Sequence, residues 1–132
     1  MGCDFFLTDY SPLYFEREGD GTIPRRRGGK FVRIEGPGAV HLVVSPEELS
    51  PTHACIVERF CREHGLPIRD DASMDRCSID HEDWCVAGGG LWILDEDEGT
   101  LILQGESQAY GRYSRAGLSA QRRVGGYEVE LR

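Results

Sequence analysis

The stretch from Leu91 to Gln104 limits what this chain can become more than any other. Two apolar runs, "LWIL" and "TLILQ", flank the acidic segment Asp95-Glu96-Asp97-Glu98-Gly99. The acidic segment reads as a solvated turn, with Gly99 supplying the backbone freedom to reverse the chain. The runs on either side then pair as the arms of a β-hairpin, so the fold must be built around a sheet. The second arm ends in Gly105-Glu106-Ser107-Gln108-Ala109-Tyr110-Gly111, where small residues alternate.

The rest of the chain supplies partners for that hairpin. "KFVRIEG" (30–36) alternates and reads as a strand, Pro37-Gly38 breaks it, and the β-branched "VHLVVS" (40–45) reads as a second strand. "WCVA" (84–87) reads as a short buried strand, and "YEVELR" as the strand that closes the sheet. A helix is expected after Ser50, with Ser50 as N-cap, Pro51 at the first helical position and Gly65 as the stop. Ile56, Val57 and Phe60 give it one apolar face, with Cys61 beside them, and His53 falls in its first turn. A second helix is expected over 115–124, "RAGLSAQRRV". The expectation is an α/β fold: a single mixed β-sheet of about six strands with two flanking helices. Residues 1–132 form one domain, with 1–29 as an aromatic-rich N-terminal arm and the polar 66–83 as an insertion.

Composition narrows the partners. Fifteen basic and 23 acidic residues leave a net charge of −8, which repels nucleic acid and anionic membrane surfaces. The basic residues cluster in "RRRGGK" (25–30), which reads as a solvated loop or as a local anion-attracting rim. No apolar run approaches membrane-spanning length, and no secretory leader is expected from the opening residues. Five cysteines, an odd number, suit reduced thiols in a cytoplasm. Nothing in the sequence calls for a cofactor or an oligomer, so a monomer without cofactor is expected.

Three constellations carry chemistry. His53 lies where a helix offers unpaired N–H groups and a positive dipole end, both of which disfavour imidazolium. A neutral imidazole is what a nucleophile or general base requires near pH 7, and the same N–H groups attract phosphate. Its bland alternative is a histidine that only caps or packs. Around Ser107, small residues let the backbone approach a ligand, so that successive N–H groups form an anion-binding concavity. It is not a Walker A loop, because no Lys-Ser/Thr follows the glycines. Finally, Cys77, His81 and Cys85 have C-x3-H-x3-C spacing, which on a helix would present three metal ligands on one face.

In order along the chain, "KFVRI", "THACI", "CVAGGG", "GESQAYG" and "YEVEL" together resemble the Janus/Ocnus family, whose members include the small protein phosphohistidine phosphatases. The resemblance covers about Lys30 to Leu131. It implies a metal-independent phosphatase acting on a P–N bond, with His53 as nucleophile or base for water. It also implies that Lys30 contacts phosphate, and that the backbone N–H groups of Ser107, Gln108 and Ala109, with the Ser107 hydroxyl, hold the phosphoryl oxygens. The family pattern has Arg after the triple glycine, where this chain has Leu91. Arg112, Arg115 and the Arg25–Arg27 cluster are the candidates to replace that charge. The substrate expected is a phosphorylated protein or a small phosphoramidate. The alternatives are a phosphate- or phosphopeptide-binding module without turnover, and a zinc-binding member using Cys77, His81 and Cys85.

Overall fold

The computed structural model describes residues 4–18, 21–71, 76–118 and 123–132. The strands are β1 (Asp4–Asp9), β2 (Arg26–Gly36), β3 (Ala39–Pro46), β4 (Ile68–Asp71), β5 (Arg76–Ile79), β6 (Cys85–Asp95), β7 (Thr100–Gln104), β8 (Arg123–Val124) and β9 (Tyr127–Leu131). The helices are α1 (Ser11–Glu18) and α2 (His53–His64). Seven strands form one mixed sheet in the order β1-β3-β2-β6-β7-β9-β8. β1 runs parallel to β3 and β9 parallel to β7, while the remaining pairs are antiparallel. The two ends of the sheet approach each other: a methyl on Gly125 would lie 2.7 Å from Cβ of Leu7. The sheet is therefore nearly closed into a barrel.

Both expected hairpins are present, β2–β3 around Pro37-Gly38 and β6–β7 around the acidic turn. In that turn the Asp95 carboxylate accepts from the amides of Asp97 and Glu98. "WCVA" and "LWIL" are not separate strands. β6 continues for 11 residues through the triple glycine and pairs with β2, with a register shift opposite Val32–Ile34 where Gly88 takes a positive φ.

Two sides of the sheet carry separate cores. On one, α2 lays Ile56, Val57, Phe60 and Cys61 against Val32, Ile34 and Val43. On the other, Phe31, Leu42, Val44, Trp92, Leu94, Leu101 and Leu103 pack with Tyr113, Leu118 and Val124. Alternation along β2 explains the division: Phe31 faces one core, Val32 and Ile34 the other. Fully burying a side chain of this size is worth about 1.5–3 kcal/mol, so the two clusters dominate the fold's stabilisation.

Several expectations need correction. The N-terminal arm contributes β1 to the sheet and α1 over it, with Ser11 N–H bonded to the Asp9 carboxylate at 2.9 Å just ahead of α1. The second helix is α1; 115–124 is not helical where it is described. Arg115 is irregular, residues 116–118 form a turn, and Arg123–Val124 is strand β8, while 119–122 lie outside the described residues. The turn is pinned by the buried Arg33, whose guanidinium donates to the carbonyls of Ser114 (3.0 Å) and Ala116 (2.7 Å).

"RRRGGK" is not a loop either: from Arg26 onward it is β2, paired with β6. Arg25 bonds Asp97, and the buried Arg27 bonds Asp9 at 2.9 Å with Glu96 beside it. Arg25 and Arg27 thus pair with carboxylates of β1 and the acidic turn, and of the cluster only Lys30 is among the described residues lining the cavity at the start of α2. The insertion 66–83 forms the hairpin β4–β5, with β5 packed on α2. Among the described residues, no helix is long and apolar enough to cross a membrane.

Candidate functional site

His53 is the first residue of α2, and Thr52 is its N-cap, accepting from Cys55 N–H through the hydroxyl. The expected cap, Ser50, is buried and bonded to the Ser45 hydroxyl at 2.8 Å. That bond pulls the chain onto β3 and delays the helix by two residues. The stop at Gly65 is as expected, with left-handed φ of 64° and its N–H bonded to the Cys61 carbonyl.

The His53 ring is almost wholly buried and lies against the triple glycine. Its Nε2 is 2.9 Å from the Gly90 carbonyl oxygen. A carbonyl only accepts, so Nε2 carries the proton and the Nδ1 lone pair is left bare. The Cδ2 edge faces Gly89: a methyl there would sit 3.0 Å from Cδ2 and 2.5 Å from the Phe31 carbonyl oxygen. At Gly88 φ is +89°, and a methyl would meet the Arg112 carbonyl oxygen at 2.2 Å. These glycines therefore let two segments touch β6, the ring of His53 on one and the 112–113 backbone on the other. Burial is the main cause that lowers the His53 pKa; the Lys30 charge adds to it, and the Gly90 hydrogen bond opposes it.

His53 forms part of the wall of a cavity of about 390 Å³ that it shares with Lys30, Pro51, Thr52, Ala54, Leu91, Glu106, Gln108 and Ala109. This volume is in the lower range of small-molecule sites. Lys30 stands directly opposite Leu91 across the β2–β6 pair, and its ammonium donates to the Glu47 carboxylate at 3.0 Å.

The loop after β7 is a closed turn. Ser107 N–H donates to Gly111 O (3.2 Å), Gly111 N–H donates back to Ser107 O (2.8 Å), and the Ser107 hydroxyl accepts from Tyr110 N–H (3.1 Å). Ser107 is thus buried as the framework of the loop, with its amide and its hydroxyl both engaged. The amides of Gln108 and Ala109 meet no acceptor among the described residues. Of the three residues expected to offer amides, Gln108 and Ala109 line the cavity and Ser107 holds the loop's shape.

The insertion, whose role the sequence left open, braces this loop against α2. Arg76 donates to the Ala109 carbonyl at 3.0 Å. Cys77 N–H donates to the Tyr110 hydroxyl, which in turn donates to the Cys77 carbonyl at 2.5 Å. The Cys77 thiol also reaches the carbonyl of Ala54, next to His53, at 3.7 Å. One strand therefore ties the helix start to the amide loop.

The sequence candidates thus divide. Lys30, His53, Gln108 and Ala109 surround one cavity, with Ser107 beneath it. Arg112 and Arg115 are not among its lining residues. The guanidinium of Arg115 bonds the Arg132 carbonyl and lies over the Tyr113 ring. Leu91 lines the cavity, and no arginine is among its described lining residues. Glu47, Glu106 and the Gly90 carbonyl were not foreseen. The signal for the last was three glycines in an otherwise apolar strand, a gap that something must fill.

The helix that would align Cys77, His81 and Cys85 is absent. Cys77 is on β5, His81 lies in the following turn with Nδ1 accepting from Asp83 N–H, and Cys85 opens β6. Among the described residues no three His, Cys, Asp or Glu side chains gather into a ligand set. Burial raises the thiol pKa of Cys61 to about 11, and it also raises those of Cys77 and Cys85, so all three stay protonated near neutrality.

No protein-family model matches the chain, and no curated protein matches it.

Proposed function

We propose that the cavity at the start of α2 is a phosphoryl site and that the protein is a metal-independent phosphatase cleaving a P–N bond, such as that of phosphohistidine. One observation carries the proposal. A buried imidazole held neutral, with no described partner at Nδ1, lines a single cavity with a lysine and with Gln108 and Ala109, whose amides have no described acceptor. The resemblance to the Janus/Ocnus family points the same way.

In this mechanism the phosphoryl oxygens lie between Lys30 and the amides of Gln108 and Ala109. His53 Nδ1 is the only ring nitrogen with a lone pair. It acts either by attacking phosphorus, so that a P–N bond to the enzyme forms as the substrate's P–N bond breaks, or by taking the proton from an attacking water. The leaving nitrogen departs with the electron pair of the broken bond and takes a proton, from His53 Nδ1 on the water route or from solvent on the nucleophilic route. On the nucleophilic route a water then cleaves the enzyme's P–N bond and releases phosphate. The Gly90 carbonyl fixes the tautomer and is placed to stabilise the ring as it gains positive charge. Phosphoryl transfer depends chiefly on positioning and charge stabilisation, and one well-placed donor is commonly worth about 3 kcal/mol.

The test is phosphate release from a phosphohistidine peptide and from phosphoramidate. Wild type turns over, His53→Ala falls by at least about a thousandfold, and Lys30→Ala falls by about a hundredfold. Equal rates for wild type and His53→Ala would overturn the proposal.

A second reading is favoured by the Lys30–Glu47 pair and by Leu91, which leave the cavity poor in free positive charge. On that reading the site binds a phosphoryl group without turning it over. Saturable phosphate binding with no hydrolysis of either substrate would establish it.

A further inference from the structure

Resting on the reading of this cavity as a phosphoryl site, we propose that its outer half is a subsite for a basic side chain. The preferred substrate is then a polypeptide with Lys or Arg beside the phosphorylated residue.

The lining follows the sheet register. Lys30 on β2 stands opposite Leu91 on β6, and Leu91 stands opposite Gln104 on β7, two residues before Glu106. Lys30, Leu91 and Glu106 thus give the cavity a cationic side, an apolar middle and an anionic side. Leu91 is 44% exposed, one of three large apolar side chains exposed among the described residues. It borders the bend at Gly105, where a methyl would lie 3.7 Å from its Cγ. Glu106 is also exposed, and its carboxylate has no hydrogen-bond or ion-pair partner among the described residues. By contrast, Lys30 is already bonded to Glu47.

A purely anionic ligand is poorly served here. It meets one lysine, already paired with Glu47 outside the lining, and the carboxylate of Glu106, on a chain whose net charge is −8. A ligand with its phosphoryl group at the Lys30 and His53 end and a cation at the Glu106 end matches both halves. Between them lies Leu91, which the methylene stem of a lysine or arginine would cover while its head reaches the carboxylate. Leu91 and Glu106 both lie at the molecular surface, within reach of a peptide passing over the mouth. The overall negative field attracts a basic polypeptide and repels an acidic one.

The experiment uses the full chain and two peptides that carry a non-hydrolysable phosphonate analogue of phosphohistidine. The peptides differ only in having Lys or Glu on both sides of the analogue, and Kd is measured by fluorescence anisotropy. The lysine peptide is expected to bind about tenfold tighter at low salt. The difference should shrink as ionic strength rises. Glu106→Gln should bring the two peptides to within about twofold, and Glu106→Lys should reverse the order. Equal affinities for wild type, or a preference that survives Glu106→Gln undiminished, would overturn the subsite. Hydrolysis of the matching phosphohistidine peptides is measured in parallel. Intact discrimination without turnover would remove the catalytic reading and leave the subsite standing; binding of neither peptide would overturn both.

Discussion

Gly89→Ala is the sharpest test of how the site is built, because the new methyl has two neighbours. It would sit 2.5 Å from the Phe31 carbonyl oxygen, which belongs to the adjacent strand β2, and 3.0 Å from Cδ2 of His53. A carbon–oxygen contact is comfortable from about 3.3 Å, so the β2–β6 pair must open by roughly 0.8 Å at this point. Overpacking of this kind costs about 1–3 kcal/mol, and replacing glycine by alanine returns about 0.4–1 kcal/mol through the unfolded chain. The net destabilisation is about 1–2 kcal/mol, or a Tm lowered by about 4–7 °C in a chain of this size. The ring must retreat by several tenths of an ångström, which weakens the Nε2–H bond to Gly90. Displacement of a reacting group by about 1 Å can cost a hundredfold in rate. Turnover of a phosphohistidine peptide, measured well below Tm, should therefore fall by about ten- to a hundredfold. Differential scanning calorimetry and a phosphate-release assay read the two effects separately. If Gly89→Ala leaves both Tm and rate unchanged, the imidazole does not lie against β6 and the proposed geometry is wrong.

Three further outcomes follow from the same contacts. Glu47→Gln releases the Lys30 ammonium, so inorganic phosphate should bind about three- to fivefold tighter by calorimetric titration, with a steeper dependence on salt. Folding stability should fall as pH drops below about 6.5, because burial lowers the pKa of both His41 and His53 while the unfolded chain takes up those protons normally. Above that pH both states hold the rings neutral and the two contribute nothing to the slope, whereas below the folded-state values the loss levels off; denaturant titrations of wild type and His53→Gln at several pH values check this, with a shallower slope expected for the variant. Arg33→Met should cost about 2–4 kcal/mol in denaturant unfolding, since it leaves the carbonyls of Ser114 and Ala116 without their donor and unpins the 114–116 segment.

The parts of the fold that were legible from sequence were those fixed locally. The β2–β3 and β6–β7 hairpins announce themselves through alternation and turn residues, and α2 through its apolar face and the glycine that stops it. What was hidden depends on distant partners. Ser50 looks like a helix cap in sequence, but Ser45 claims its hydroxyl and Thr52 takes the role. The string of arginines before Lys30 looks like a loop because the carboxylates that neutralise it, Asp9, Glu96 and Asp97, are far away in sequence. The run after Arg115 has helical composition, yet its described start is held as a turn by Arg33, 81 residues earlier at Ser114. At the candidate site, a helix-start position draws attention to His53 and the alternation of small residues to Ser107 and Ala109, whereas Lys30 and Gln108 enter only through the family resemblance. The Gly90 carbonyl that sets the tautomer, the carboxylates of Glu47 and Glu106, and the bracing by Arg76 and Cys77 exist only once β2, β5, β6 and α2 have assembled.

The central claim is that His53 presents an unprotonated Nδ1 to a bound phosphoryl group. Nitrogen NMR of protein labelled at its histidine rings tests it most directly, at pH 7 with increasing inorganic phosphate. The account predicts that His53 is neutral with its proton on Nε2, and that its Nδ1 resonance shifts saturably with phosphate while those of His64 and His81 do not. A His53 ring protonated at Nδ1, or an Nδ1 resonance indifferent to saturating phosphate, would contradict it.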